Sequence, residues 1–453
     1  MNPLAPMMGA LAGALWLGAA LPVDEASRLG GPATVDAEGP NAFSLATPGL
    51  SREERRAFSV GNSFFRDNWV VAPASADGRD GLGPLFNANS CSACHQEDGR
   101  GRPPRSGDDV GAGMVVFISP QNDDGAPHPI YGHQVQDQAN AGVQPEARIL
   151  VGAQLMPGAY ADGAPFELRR WTLEFVDPGY GPLGPVRTSM RIGPQLIGVG
   201  LLEALDDATI VALEDPEDRN ADGISGRAAR RARSAQGGPS IGRFGWKASQ
   251  STIEEQVIAA LHEDMGITSA RRSEESLTDF QRISVTAPSG GSPEIDQHKI
   301  DRIAHYCRVL AVPRQRGADS PLVQRGRRLF AELNCVACHV PELRTGDASP
   351  IASHRDVTIR PYTDLLLHDM GDGLADHRRD GVATGLEWRT PPLWGIGLLE
   401  TVNGHAHYLH DGRSRSLEEA ILWHGGEAQR SRDGFWSMAA DDRAALIAFL
   451  RWL

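Results

Sequence analysis

The sequence is poor in cysteine, since its 453 residues contain only five. An odd number excludes a scaffold in which every cysteine forms a disulfide. Positive charge is also in short supply, and the formal net charge is −14. This excess of negative charge argues against nucleic acid and anionic membrane surfaces as partners. Aromatic residues make up only 6%, whereas glycine (51) and proline (31) are abundant, which favours long ordered loops between modest helices.

One long apolar run without charge is present, at Leu4–Pro22. It is about as long as a membrane span, but its small residues, such as Gly18–Ala20, favour a cleaved signal peptide. No lysine or arginine precedes the run, so the basic start of a typical signal peptide is missing. We therefore predict a signal peptide at residues 1–22, export to the periplasm, and no membrane contact beyond this segment.

Four of the cysteines form two C-x-x-C-H motifs, Cys91–His95 and Cys335–His339. In this motif two thiols add to the haem vinyl groups and the histidine binds the iron. Two intervening residues let one helical turn present both sulfurs along the porphyrin edge. The sequence therefore predicts two covalently bound c-type haems, attached at Cys91, Cys94, Cys335 and Cys338, with His95 and His339 as iron ligands.

Two other kinds of site also use C-x-x-C. A redox motif does not require the histidine, and a zinc site needs further ligands at a suitable spacing, which the sequence does not offer. The fifth cysteine, Cys307, lies in a predicted helix and is interpreted as a buried core thiol.

The surroundings of the two motifs repeat. Leu85-Phe86 and Leu329-Phe330 stand equally far before the first cysteine, and each is predicted to belong to a helix that leads into its motif. Each half also ends in an amphipathic helix, Asp296–Leu310 and Asp441–Leu453. We therefore predict a mainly α fold with few, short strands. Its two cytochrome c-like domains would cover residues 51–316, with an elaborated, loop-rich insertion, and 317–453, after an irregular arm at 23–50.

Two loops carry polar patterns with alternative interpretations. Asp218, Asn220 and Asp222 resemble the start of a calcium loop, but Ala229 stands where an EF-hand has glutamate. A looser calcium site and an Asx-rich turn both stay open. The loop Gly99–Arg105 would either contact haem propionates or be a solvated basic loop.

From about residue 55 onward the sequence resembles the di-haem oxidoreductases, a family related to bacterial di-haem cytochrome c peroxidases and to the di-haem enzyme that matures methylamine dehydrogenase. Besides the two haem motifs, the segments that carry the resemblance are Gly83–Asn87, Gly99–Gly101, Gly242–Trp246, Leu366–Gly371, Arg389–Trp394, His410–Arg413 and His424–Ala428.

The resemblance implies ligands for the C-terminal haem. The peroxidases have a methionine as second axial ligand at a place that His424 occupies here. We therefore expect ligation by His339 and His424, with a second-sphere role for His424 as the alternative. Bis-histidine ligation lowers the haem potential relative to His/Met ligation. His410 is expected near the same haem or at the contact between the domains, whereas His405 and His407 have no counterpart.

The resemblance also implies a distal side for the N-terminal haem. The peroxidases place a glutamine and a glutamate there, and Gln138 and Glu146 can be laid on that pattern, although the spacing differs and Gln134 and Gln136 compete with Gln138. Glu146 would move a proton between the two peroxide oxygens, and a loop carboxylate is the alternative. The removable histidine ligand of the peroxidases has no match, so His128, His133, Tyr131 or no sixth ligand are all open.

The expected function is that of a peroxidase-like oxidoreductase. Electrons from a small cytochrome or cupredoxin would enter at the C-terminal haem and pass to the N-terminal haem, where hydrogen peroxide or another oxidant reacts. Trp394 and Trp423 would either assist this passage or be core aromatics. The alternatives are an electron carrier with two six-coordinate irons and an enzyme that oxidises an organic or protein substrate.

Overall fold

The computed structural model describes residues 23–75, 78–105, 111–232, 239–286 and 288–453. The signal peptide predicted at residues 1–22 lies outside the described residues. Within those described ranges, no helix has both the length and the apolar character that crossing a lipid bilayer requires.

The α-helices are mostly short. In the described part of the chain, helices α1 to α13 are Val23–Ser27, Arg52–Arg66, Cys91–Cys94, Val199–Glu203, Asp207–Val211, Ile253–Met265, Gln297–Arg308, Pro321–Glu332, Gly371–Leu374, Leu399–Asn403, Leu417–Leu422, Gln429–Ser437 and Ala440–Trp452. Single turns of 3-10 helix cover Gly31–Ala33, Gln96–Asp98, Gln281–Ile283, Cys335–Ala337, Ala352–His354, Ile396–Leu398 and Gly426–Ala428.

The strands form several small sheets. Strands β1 to β15 are Thr34–Val35, Leu85–Phe86, Met114–Pro120, Gln134–Val135, Gln138–Ala139, Arg148–Ala159, Pro165–Val176, Val186–Ile192, Ala229–Arg231, Ser240–Gly242, Val312–Pro313, Leu343–Arg344, Thr358–Ile359, Leu367–Asp369 and Glu387–Arg389. Strand β3 lies between β4 and β8, and the other sheets are the pairs β1–β11, β2–β5, β6–β7, β9–β10, β12–β13 and β14–β15.

The prediction of a mainly α fold with few, short strands is wrong. The described residues have 31% helix and 19% strand, and β6 and β7 form an antiparallel hairpin of two 12-residue strands. Its β-branched and aromatic residues, among them Trp171 and Phe175, favour strands. Two cytochrome c-like domains are also not shown, because the main hydrophobic core of the described residues contains side chains from both halves, such as Phe65 and Phe449.

The helices predicted from amphipathic patterns are confirmed at α7 and α13. Helix α7 packs on α2, and α13 packs on α8. Both pairs cross closely at a glycine: a Cβ on Gly61 would collide with the Arg302 carbonyl, and one on Gly326 with the Ala445 carbonyl. Leu329-Phe330 lies in helix α8 as predicted, whereas Leu85-Phe86 is strand β2, paired with Gln138-Ala139.

Strands β3, β4, β6 and β8 contribute to a second, smaller hydrophobic core, which also buries Tyr131. The β6–β7 hairpin reaches from this core to the C-terminal part of the chain. There Trp171 donates a hydrogen bond to the Asp411 carbonyl (3.0 Å), and Trp436 donates one to the Ala159 carbonyl (2.7 Å).

Candidate functional site

The first C-x-x-C-H motif lies on one helical turn. The Ser90 hydroxyl caps this turn by accepting a hydrogen bond from the Ala93 amide (3.2 Å). The amide of His95 donates to the Cys91 carbonyl (3.0 Å). His95 Nδ1 lies 2.8 Å from the Pro194 carbonyl oxygen. A histidine that ligates a metal usually donates its other ring N–H to such a carbonyl, so Nε2 of His95 is left for iron.

The second motif has the same arrangement. Cys335–Ala337 forms a 3-10 turn directly after helix α8. His339 Nδ1 lies 3.0 Å from the Tyr362 carbonyl oxygen, which again leaves Nε2 for iron.

His424 faces the second motif. It follows helix α11, and its Nδ1 lies 2.7 Å from the Ala420 carbonyl oxygen. His424, His339, Cys335 and Cys338 all line one cavity. Burial and, next, the neighbouring His424 lower the pKa of His339 to about 4, and burial also lowers the pKa of His424. Both rings are therefore neutral at pH 7, which is the form that binds a metal.

The donor sets fit c-type haem. None of the four motif cysteines is in a disulfide. Burial raises the pKa of Cys91 and of Cys335 to about 12, so these thiols are protonated. The cavity at the second motif combines two thiols with two anchored histidines, which matches two thioether bonds and two axial ligands.

Aromatic side chains line the same cavity. The His410 ring stacks on Trp388 with 3.6 Å between ring centroids and 10° between planes, and Trp246 stands edge-on to His410 at 6.5 Å. All three rings line the cavity, so His410 lies beside the second motif as the resemblance implied. Trp423 is buried in the aromatic cluster that also contains Trp246 and Trp388, whereas Trp394 is in the main core.

A short segment connects the two motifs. The Pro194 carbonyl accepts from His95, and the next residue, Gln195, lines the cavity of the second motif. Arg100, five residues after His95, lines the same cavity and lies over the Trp246 ring at 5.2 Å. Residues close to the first motif therefore form part of the wall of the cavity at the second motif.

Two polar clusters were not assigned a role from the sequence. Next to the second motif, buried His368 lies between two carboxylates, with Nε2 2.8 Å from Asp364 and Nδ1 2.6 Å from Glu427. Its Nδ1 is 3.5 Å from the Cys338 sulfur. Asp364, His368 and Cys338 have the geometry of a metal-binding group, but Cys338 is assigned to haem and His368 is held by hydrogen bonds. The sequence signal that could have indicated this cluster is the segment Leu366–Gly371, which carries part of the resemblance.

The second cluster lies beside the first motif. Gln134 donates to Asp264 (2.8 Å) and to Asn87 (2.7 Å), and Asn87 donates to Asp137 (2.8 Å). Burial raises the pKa of Asp264 to about 7 and that of Asp137 to about 6. The Asp264 charge in turn contributes, after burial, to the raised pKa of Cys91. No local sequence pattern indicated this cluster.

The predicted distal residues, Gln138 and Glu146, have different hydrogen-bond partners. Glu146 is buried, and its carboxylate accepts hydrogen bonds from the Gln136 amide (2.6 Å) and the Gln281 side chain (2.5 Å). Burial raises its pKa to about 8, although both donors oppose the rise. Gln138 is exposed on strand β5 and donates to the Asn87 carbonyl (2.6 Å). Among the described residues the two side chains share no hydrogen bond.

The candidates for a sixth ligand at the first haem are engaged elsewhere. His128 Nε2 lies 3.0 Å from the Leu183 carbonyl, and its Nδ1 accepts from the Tyr131 amide (3.2 Å). The Tyr131 hydroxyl donates to the Gly181 carbonyl (2.5 Å). His133 is exposed, and its Nδ1 lies 3.3 Å from the Arg378 guanidinium.

The oxygens of the proposed calcium loop accept hydrogen bonds within the loop. Asp218 accepts from the amides of Asp222 (3.0 Å) and Gly223 (3.1 Å), and Asp222 accepts from the Ile224 amide (2.9 Å). Asn220 also accepts from the Asp222 amide (3.0 Å). This is the pattern of an Asx-rich turn, the alternative to calcium.

A family model described as "Di-haem oxidoreductase, putative peroxidase" matches residues 23–115 and 184–453. No curated protein and no solved structure matches the chain. The family match includes both C-x-x-C-H motifs, His410 and His424. It omits residues 116–183, where Gln138, Glu146 and the β6–β7 hairpin lie.

Proposed function

The chain belongs to the di-haem oxidoreductase family, and from this premise we propose that it is an exported, periplasmic c-type cytochrome that reduces a peroxide. When bound, the haems would supply redox chemistry: two electrons from a small cytochrome or cupredoxin, entering at the C-terminal haem, and two protons would convert hydrogen peroxide to two waters at the N-terminal one. The chain's own residues hold the two groups, keep one iron closed and leave the other open.

An asymmetry between the two motifs carries this proposal. His339 faces a second anchored histidine, His424, across one cavity. His95 has an anchored Nδ1 of the same kind, but His128 and Tyr131 already use their polar atoms in hydrogen bonds to the backbone. A six-coordinate iron suits electron transfer, and an iron with a free position can bind a small oxidant.

Two acids are candidates to move protons at the open site. Glu146 holds a proton at pH 7 because its pKa is about 8, and it matches the resemblance. Asp264 has a pKa of about 7. It lies nearer than Glu146 to the attachment cysteines, because its charge contributes to the raised pKa values of Cys91 and Cys94. A catalytic pKa near the working pH favours proton transfer in either case. Peroxide turnover is measured separately for Glu146→Gln and Asp264→Asn at unchanged haem content. The variant with the lower turnover identifies the acid that moves protons.

The test is a carbon monoxide difference spectrum of the fully reduced protein, made in a host that attaches c-type haems. We expect one of the two haems to bind carbon monoxide in the wild type and both to bind it in His424→Gly. His410→Gln is the control, because it changes a histidine of the same cavity that is not assigned to iron, and it should still bind one equivalent. Hydrogen peroxide turnover with a reduced small cytochrome follows.

The other outcomes identify the rival functions. If neither wild-type haem binds carbon monoxide, both irons are closed and the protein is an electron carrier. If one haem binds carbon monoxide but peroxide is consumed only when an organic or protein substrate is added, the protein oxidises that substrate. Either result contradicts the proposed peroxidase function.

A further inference from the structure

Hydrogen-bond donors without partners lie between segment His405–Arg413 and Arg100, which also lines the second haem cavity. The ring nitrogens of half-buried His405 are shielded from solvent, and the Arg100 backbone carbonyl is the one acceptor that favours its protonated ring. Nε of Arg100, a residue only 5% exposed, is buried without a partner. Leaving a buried donor without a partner destabilises the folded chain, so this arrangement points to a missing acceptor.

The same place holds positive charge without a bound carboxylate. Among the described residues, neither Arg100 nor Arg169 has a carboxylate oxygen within hydrogen-bond distance. Arg100 donates to the Leu409 carbonyl, and Arg169 donates to the Gly412 and Arg413 carbonyls (2.9 and 3.1 Å). Burial lowers the pKa of each arginine to about 10, and both remain charged at pH 7.

The nearest acids are already used. Asp411 and Glu419 act on the pKa of Arg169 through space. Asp411, however, accepts from Arg413 (2.7 Å), and Glu419 accepts from Arg415 (2.8 Å). Among the described residues, Arg100 and Arg169 therefore have no hydrogen-bonded counter-ion. For Arg100, which is buried, an unpaired charge is costly.

Two histidines complete the pocket. The rings of His405 and His407 are 5.5 Å apart between centroids, and Nδ1 of His407 lies 3.3 Å from the Arg169 guanidinium. Burial, followed by the other histidine for His405 and by Arg169 for His407, lowers both pKa values to about 4. Neutral imidazoles can donate one N–H each. The surrounding arginines disfavour a metal cation and favour an anion.

We propose that Arg100, Arg169, His405 and His407 form a half-buried binding site for a carboxylate. Guanidinium groups bind carboxylates through paired, charge-assisted hydrogen bonds, and the orphaned Nε of Arg100 would gain an acceptor. Arg169 lies on strand β7, within the segment that the family match omits, so this part of the pocket is supplied by the inserted hairpin. The carboxylate is either a haem propionate, since Arg100 lines the second haem cavity, or a free small carboxylate. The pocket does not depend on peroxidase activity.

The experiment compares the haem-loaded wild type with Arg169→Gln. Arg170→Gln is the matched control, because Arg170 is the next residue of the same strand, exposed, and on its opposite face. Two quantities are measured: the propionate bending band in the resonance Raman spectrum, and the binding of acetate by calorimetry. Haem absorbance verifies that all three proteins carry the same haem content.

A propionate band that shifts in Arg169→Gln but not in Arg170→Gln supports the pocket and identifies a haem propionate. An unchanged band, with saturable acetate binding that Arg169→Gln weakens at least tenfold and Arg170→Gln does not, supports a free carboxylate. An unchanged band without saturable acetate binding to the wild type overturns the proposal. If Arg169→Gln fails to load haem, His405→Gln replaces it with the same expected outcomes.

Discussion

The buried carboxyl of Glu146 makes a quantitative prediction for Glu146→Gln. A carboxyl whose pKa is higher in the folded than in the unfolded chain contributes stability at low pH and loses it as the pH rises. Raising the pKa from 4.5 to about 8 corresponds to about 5 kcal/mol at about 1.36 kcal/mol per pH unit. The wild type should therefore lose up to that free energy of unfolding, through this one group, between about pH 4.5 and 8.

The glutamine variant has no such loss. At pH 5 it should be less stable than the wild type by about 1–2 kcal/mol, because its NH2 group would face one of the two donors that Glu146 accepts from. At pH 9 the order should reverse, with Glu146→Gln more stable by about 3 kcal/mol. Urea unfolding of the haem-loaded proteins at pH 5, 7 and 9 measures this difference.

Glu174→Gln is the control, because Glu174 is exposed on strand β7 of the same hairpin. Its difference from the wild type should stay near zero at all three pH values. A Glu146→Gln difference that does not change between pH 5 and 9 would refute the reasoning that burial dominates the pKa of Glu146.

Three further predictions concern stability and metal binding. Lys247→Met should lower the free energy of unfolding by about 3–5 kcal/mol, measured with urea, because Lys247 is fully buried and its ammonium donates to buried Asp376 (2.7 Å); an unchanged value would contradict this role. Gly326→Ala should cost about 1–3 kcal/mol in the same assay, since the new Cβ meets the α13 backbone, and a neutral result would mean that the helices separate freely. Because the loop Asp218–Gly223 satisfies its own oxygens, neither Ca²⁺ nor EDTA should change Tm, and a rise with Ca²⁺ would instead favour the calcium site.

The parts of the fold that the sequence predicts are those with a local physical signal. In α7 and α13 the apolar residues have amphipathic spacing, and the helix ends can be recognised in the sequence. Both helices are found where expected. The strands were missed because high glycine and proline content was interpreted as loops, although residues 148–176 combine β-branched and aromatic side chains. Leu85-Phe86 became a strand because its partner, Gln138-Ala139, lies about fifty residues away, and no local pattern contains that information.

The candidate site likewise has one part that the sequence predicts locally and another part that depends on the fold. Both C-x-x-C-H motifs are local, so they could be placed on the sequence without tertiary structure. The carbonyls that anchor His95 and His339 come from Pro194 and Tyr362, and those pairings depend on the fold. His368 is similar, because one of its two carboxylate partners, Glu427, is 59 residues away. The distal assignment of Glu146 rested on a pattern with altered spacing, and Glu146 lies in the segment that the family match omits.

The most direct test of the account is the intact mass of the protein made in a host that attaches c-type haems. The wild type should gain the mass of two haems, while Cys91→Ala/Cys94→Ala and Cys335→Ala/Cys338→Ala should each gain the mass of one. In the first double variant the remaining haem should be the one that does not bind carbon monoxide. A wild type that gains no haem mass, or two double variants that both still gain two haems, would contradict the assignment of a covalent haem to each motif.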